Sequence, residues 1–237
     1  DGLDKFKKEM ETLTKEMQDC KFDLNYHILS LMEKEPFFAA ISRNITKVRT
    51  FSIPTAGVRV NEEGYYELIY NPLFMEKLPH NQRLGVLKHE FYHLCFEHVT
   101  SRSPYDRKNK EETEKHHKRW NISTDLAINS FLDGELPDFV CWPGKGPFKE
   151  MPPKMTAEWY YANLPESGQG SGRGDDGESS FDDHEGWGDG EVSDEVKQLA
   201  KQRLKEMMKD AAENANKRGW GTIPADMQSE IKNRIKT

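Results

Sequence analysis

Cysteine is scarce in this sequence. Cys20, Cys95 and Cys141 are odd in number and widely spaced, with no Cys-x-x-Cys pair. That argues against a disulfide framework or a cysteine zinc site and points to a reducing, cytoplasmic setting. Long apolar runs are also missing. No stretch approaches the ~20 residues of a membrane helix, and no charged-then-apolar leader opens the chain. The expectation is a protein that is neither membrane-embedded nor a secretory precursor. An excess of basic charge is absent too. The net charge of -7 is confined to residues 166–190, which hold eight acids and one arginine. The remaining residues balance, so nothing resembles the basic footprint of a nucleic-acid binder. What is left is 237 residues, enough for a buried core.

Apolar spacings of three and four at Leu3, Phe6, Met10, Leu13 and Met17, then at Leu24, Ile28 and Leu31, predict two amphipathic helices. Pro36 ends that region or opens the next helix. Residues 57–60 and 65–70 alternate around Asn61-Glu62-Glu63-Gly64 and predict a β-hairpin. A helix is predicted from about Asn81 to Val99, then a charged loop over residues 101–118, then a strongly apolar helix from Trp120 to Leu132. A short helix is expected at Thr156 to Leu164, with Thr156 as its cap and Trp159 as a buried anchor. Residues 166–190 contain eight glycines and read as a flexible acidic loop. Helices follow at Val192 to Asn214 and after Pro224. The expected organisation is a core at 1–165, the Gly/Asp-rich loop at 166–190 and a C-terminal helical segment at 191–237 packing on the core. The expected fold class is α+β, mainly helical with a small β-hairpin upstream of the Asn81–Val99 helix.

That helix carries His89-Glu90-Phe91-Tyr92-His93, an HExxH sequence. Two histidines four apart lie on one helix face, so both imidazoles can reach one metal ion. Glu90 can take a proton from a metal-activated water without being a ligand. With eight histidines in the chain, chance placement gives such a match roughly 3% of the time. A catalytic zinc needs a third protein ligand and an open position. His98 points away unless the helix breaks before it. Glu97 is on the right face, but three ligands along one straight helix rarely converge, so it reads as a residue behind the ligands or a solvated charge. His117 sits in a charged run. Asp125 belongs to a polar stripe, His117, Asn121, Asp125 and Asn129, on an otherwise apolar helix. Buried polar groups cost energy unless paired, and a metal site or a buried hydrogen-bond network would each explain the stripe. Asp125 is the preferred third ligand.

With these residues in place, the chain resembles a family of metallopeptidase domains found upstream of von Willebrand factor A-like domains in bacterial and phage proteins. The matching pieces run in order from about Val58. They are Tyr70-Asn71-Pro72 with Phe74, the HExxH with His98 behind it, Trp120-Asn121-Ile122-Ser123-Thr124-Asp125 with Ile128-Asn129, and Ala157-Glu158-Trp159-Tyr160-Tyr161. Asp182-Asp183-His184 with Trp187 and Gly221-Thr222-Ile223-Pro224 complete the series. The resemblance implies a zincin-like fold, zinc held by His89 and His93, Glu90 as general base, and Asp125 as the acidic position on the second helix. His184, in the acidic loop, would stabilise the oxyanion or help bind metal. The expected substrate is a peptide or protein. The sequence ends at Thr237 without an A-type domain; the expectation is either that this domain was lost or that an A-type or ATPase partner supplies it in trans. An inert structural or adaptor protein that retains a zinc site is the alternative.

Overall fold

The computed structural model describes residues 2–98, 102–106, 108–165 and 192–237. The elements are α1 (Gly2–Asp19), α2 (Asn25–Lys34), α3 (Pro36–Arg43), β1 (Thr46–Arg49), β2 (Ala56–Val60), β3 (Tyr66–Tyr70), α4 (Pro72–Lys77), α5 (His80–Cys95), α6 (Lys110–Asn129), α7 (Ala157–Asn163), α8 (Asp194–Arg218) and α9 (Ala225–Lys236). The fold is thus α-rich with one small sheet.

The expected hairpin is present. β2 and β3 pair antiparallel with Val60 opposite Tyr66. Asn61 closes the turn: its side chain accepts from the amides of Glu63 and Tyr65, and Gly64 supplies the positive φ of 77°. The sheet also has a strand that periodicity did not announce. β1 adds to β3 in parallel, giving the order β1-β3-β2 and leaving β2 at an edge. Pro36 opens α3 as its first residue, where a missing N–H costs nothing.

One large apolar cluster joins α2, α3, the sheet, α5, α8 and α9 through residues such as Leu31, Phe38, Leu68, Phe91, Leu204 and Ile231. A smaller cluster under α6 and α7 contains Leu126, Cys141, Phe148, Tyr160 and Leu164. In α7 the anchor is Tyr160, 0% exposed, rather than the half-buried Trp159. Tyr160 wins the interior because its hydroxyl finds a carbonyl there, donating to Pro152 O at 2.6 Å. Thr156 caps α7 as expected, accepting from Trp159 N. Two boundaries differ from expectation. α5 stops at Cys95 instead of reaching Val99, and α6 begins at Lys110 inside the charged run. Asn109 starts α6 early by accepting from the amides of Glu111 and Glu112, with those two acids favoured at the positive helix end.

Where α2 meets the start of α5, His27 is buried at 3% exposure. It accepts from Arg83 Nη1 at Nε2 (3.2 Å) and faces His80 Nδ1 at 3.0 Å. Burial chiefly, then the charges of Arg83 and His80, lower its pKa from 6.5 to about 4, against a smaller opposing effect of Asp23. The unfolded chain therefore takes up a proton that the folded chain refuses between pH 6.5 and 4. Stability from this group is complete above about 6.5 and is lost on acidification through that window, by at most about tenfold in the folding constant per pH unit. Urea midpoints measured between pH 7.5 and 4.5 should fall less steeply for His27→Gln than for the wild type; parallel slopes would remove His27 as the cause.

Candidate metal centre

α5 is buried on every side from Leu84 to Cys95, so it runs through the protein rather than over it. Two contacts set its depth. At Gly85 a Cβ would stand 1.8 Å from the Glu135 carbonyl oxygen, so only glycine lets the segment after α6 cross α5 one turn before His89. Next to His89, Lys88 is 3% exposed and its ammonium lies between Glu35, Glu135 and Thr222. Glu35 also accepts from the amide and hydroxyl of Thr222, and a Cβ at Gly221 would collide with the same carboxylate. The Gly221-Thr222 turn of the C-terminal segment is thereby tied to the helix that carries the motif.

The end of α5 explains the fate of His98 and Glu97. The amide of His98 bonds His93 O and that of Glu97 bonds Leu94 O, a Schellman ending. Glu97 takes the left-handed position with φ 59°, unusual for a residue with a side chain. Its carboxylate is held by Lys201 of α8 (3.2 Å) and Arg234 of α9 (3.1 Å). Glu97 thus faces the C-terminal helices and not the motif histidines. The turn swings His98 back, so that its Nδ1 lies 3.0 Å from His93 Nδ1, with its ring edge-on to Trp120.

His89, His93 and Asp125 come together. Their donor atoms form one group, all within 4.8 Å, and the three residues are 0%, 0% and 1% exposed. The two Nε2 atoms stand 2.8 Å apart, and Asp125 Oδ1 is 3.1 Å from His93 Nε2 and 3.5 Å from His89 Nε2. Ligands about 2.1 Å from one tetrahedral ion stand about 3.4 Å apart, a spacing these separations bracket. Glu90, also 0% exposed, sits between the two histidines on the helix. His117 is elsewhere, facing the Tyr105 hydroxyl at 3.1 Å. His184 lies outside the described residues.

Hydrogen-bond polarity tests whether a cation suits the group. Asn129 Nδ2 donates to Cys141 O at 2.9 Å, which turns Asn129 Oδ1 toward His89 Nδ1 at 2.7 Å. His89 must therefore carry its hydrogen on Nδ1 and present a bare lone pair at Nε2. Without an ion, one chain of donors satisfies the rest. Arg102 faces His98 Nε2 at 3.5 Å, His98 Nδ1 donates to His93 Nδ1, and His93 Nε2 donates to Asp125. With a cation, His93 carries its hydrogen on Nδ1 and donates to His98, whose hydrogen moves to Nε2 at the expense of the long contact from Arg102, and three lone pairs then converge. The donors present fit a divalent ion. Asn129 was visible in the sequence only as a member of the polar stripe; its task behind His89 needed coordinates.

The cysteines offer no competing chemistry. All three are buried thiols, and burial pushes Cys95 up to about 12, far from a reactive thiolate.

The family model described as "Putative metallopeptidase domain" matches residues 21–237. The chain belongs to this family. The match starts after α1 and takes in the sheet, both helices of the metal group and the C-terminal helices. Comparison with curated proteins and with solved structures finds no match. No helix among the described residues is long and apolar enough to cross a membrane.

Asn129→Leu keeps the volume but removes the acceptor behind His89. Zinc affinity, measured by competition with a chelator at fixed pH, is expected to fall by about 10- to 100-fold; an unchanged affinity would contradict the assigned His89 tautomer.

Proposed function

We propose that the domain is a zinc-dependent peptidase of zincin type. In this reading His89, His93 and Asp125 hold the ion, and Glu90 is the general base. The observation that carries it is the convergence of two imidazole nitrogens and one carboxylate oxygen within 3.5 Å, beside the glutamate of an HExxH helix in a chain of the metallopeptidase family. Two imidazoles and a carboxylate suit zinc with an open fourth position and also ferrous iron; the HExxH arrangement favours zinc. Bound zinc would supply an acidified water and polarise the scissile carbonyl.

The chain's own residues divide the remaining work. Glu90 accepts the proton of the attacking water and passes it to the leaving amine. Asn129 and His98 hold the two imidazoles so that both Nε2 atoms face the same point. β2 lies at the sheet edge and packs on α5, so an extended peptide can pair with it and lay its backbone across the site. An A-type or ATPase partner belongs to the same proposal and rests on the family resemblance.

The complete burial of the group favours a second reading, a structural zinc in an inert adaptor, because such sites are closed. Turnover separates the two. For a peptidase, Glu90→Gln should retain zinc and lose about 10²- to 10⁴-fold in kcat on a peptide library. Equal rates for variant and wild type would remove Glu90 from the mechanism. A wild type that cleaves nothing while chelation lowers its Tm sharply would leave the structural reading.

A further inference from the structure

Helices that end in a left-handed turn are usually closed by glycine, because a Cβ at positive φ meets the following carbonyl. α5 closes on Glu97 at φ 59° instead, and among the described residues only Lys154 also carries a side chain at positive φ. The left-handed region costs such a residue roughly a five- to thirtyfold loss of population, so the turn at Glu97 needs to be held. Lys201 of α8 and Arg234 of α9 bracket its carboxylate at 3.2 Å and 3.1 Å. Arg234 also lies over the ring of Phe96, 5.5 Å from its centroid, and Phe96 stacks in turn on Tyr92 of α5. Two consecutive residues of the turn are thus gripped by a cation that follows them by more than a hundred positions.

We propose that Glu97 is a positioning residue of the metal centre: its ion pairs hold the left-handed turn that delivers His98 to His93, and through that contact they set the affinity for the metal. The inference rests on the metal-binding part of the reading above and is independent of turnover. The path is short. With residue 97 left-handed, the amide of His98 bonds His93 O, and His98 Nδ1 reaches His93 Nδ1 at 3.0 Å. With residue 97 right-handed, α5 would run on and His98 would stand about 140° round the helix from His93. The carbonyl of Glu97 also accepts from the amide of Arg102 at 3.1 Å, which brings the Arg102 guanidinium to 3.5 Å from His98 Nε2. Both nitrogens of the His98 ring therefore find their neighbours through one backbone conformation. Partners behind an imidazole ligand fix its tautomer and its direction, and their loss weakens metal binding.

Two substitutions at one position separate the turn from the charge. Glu97→Ala removes the carboxylate and keeps the Cβ, so the strained turn loses its hold. Glu97→Gly removes both, and glycine keeps the turn without help. Zinc affinity of the full chain, measured by competition with a chelator at fixed pH, is expected to fall about tenfold in Glu97→Ala. In Glu97→Gly it should return to within about twofold of the wild type. Equal falls in both variants would make the lost charge responsible and overturn the proposal, as would wild-type affinity in Glu97→Ala. Ion pairs that only fastened α8 and α9 would lower Tm in both variants and leave the affinity alone. The ring-nitrogen chemical shifts of His98 in the metal-free chain repeat the comparison without zinc: they should move in Glu97→Ala and stay in Glu97→Gly. A wild type that takes up no zinc contradicts the metal centre, and these shifts then still decide whether Glu97 positions the ring.

Discussion

Two imidazole nitrogens and a carboxylate oxygen cannot share a buried space about 3 Å across unless something positive lies among them. In this protein that constraint falls on His89, His93 and Asp125. Asn129 removes one solution by holding the His89 hydrogen on the far side of the ring. A hydrogen on His93 or a cation would each meet the constraint. Much of the surrounding structure serves to keep α5 and α6 at the separation where that choice arises. Gly85 admits the Glu135 backbone, Lys88 binds two acids from distant segments, and Asn129 reaches Cys141 O beyond the end of its own helix.

The C-terminal helices take part in this framing. α8 packs along α3 within the main core. Lys201 and Arg234 hold Glu97 in the left-handed turn that ends α5. That turn sends His98 behind His93, 3.0 Å from its Nδ1. Residues 192–237 are therefore coupled to α5 twice, through Glu97 and through the contact of Thr222 with Lys88.

What could be read in the sequence was local. The HExxH spacing places two imidazoles on one helix face, and the four-residue polar stripe of α6 singles out Asp125 and Asn129 against an apolar background. The hairpin was announced by its glycine-closed turn. What escaped depends on distant partners. β1 is four residues long with its outer residues exposed, and its parallel partner lies about twenty positions away. α5 lacks the glycine that usually marks a helix end; Glu97 replaces it because cations more than a hundred residues later hold it there. The early start of α6 was legible in principle, since Asn109 stands two and three residues before Glu111 and Glu112, but the density of charge around it suggested a loop. Tyr160 displaced Trp159 as the buried anchor because a carbonyl awaited its hydroxyl, which periodicity cannot reveal.

Metal content is the most direct measurement: elemental mass spectrometry of the purified full chain, with His89→Ala beside it. The expected result is about one zinc per chain in the wild type and its loss in the variant. A wild type prepared with supplemented zinc that retains no metal would contradict the metal centre.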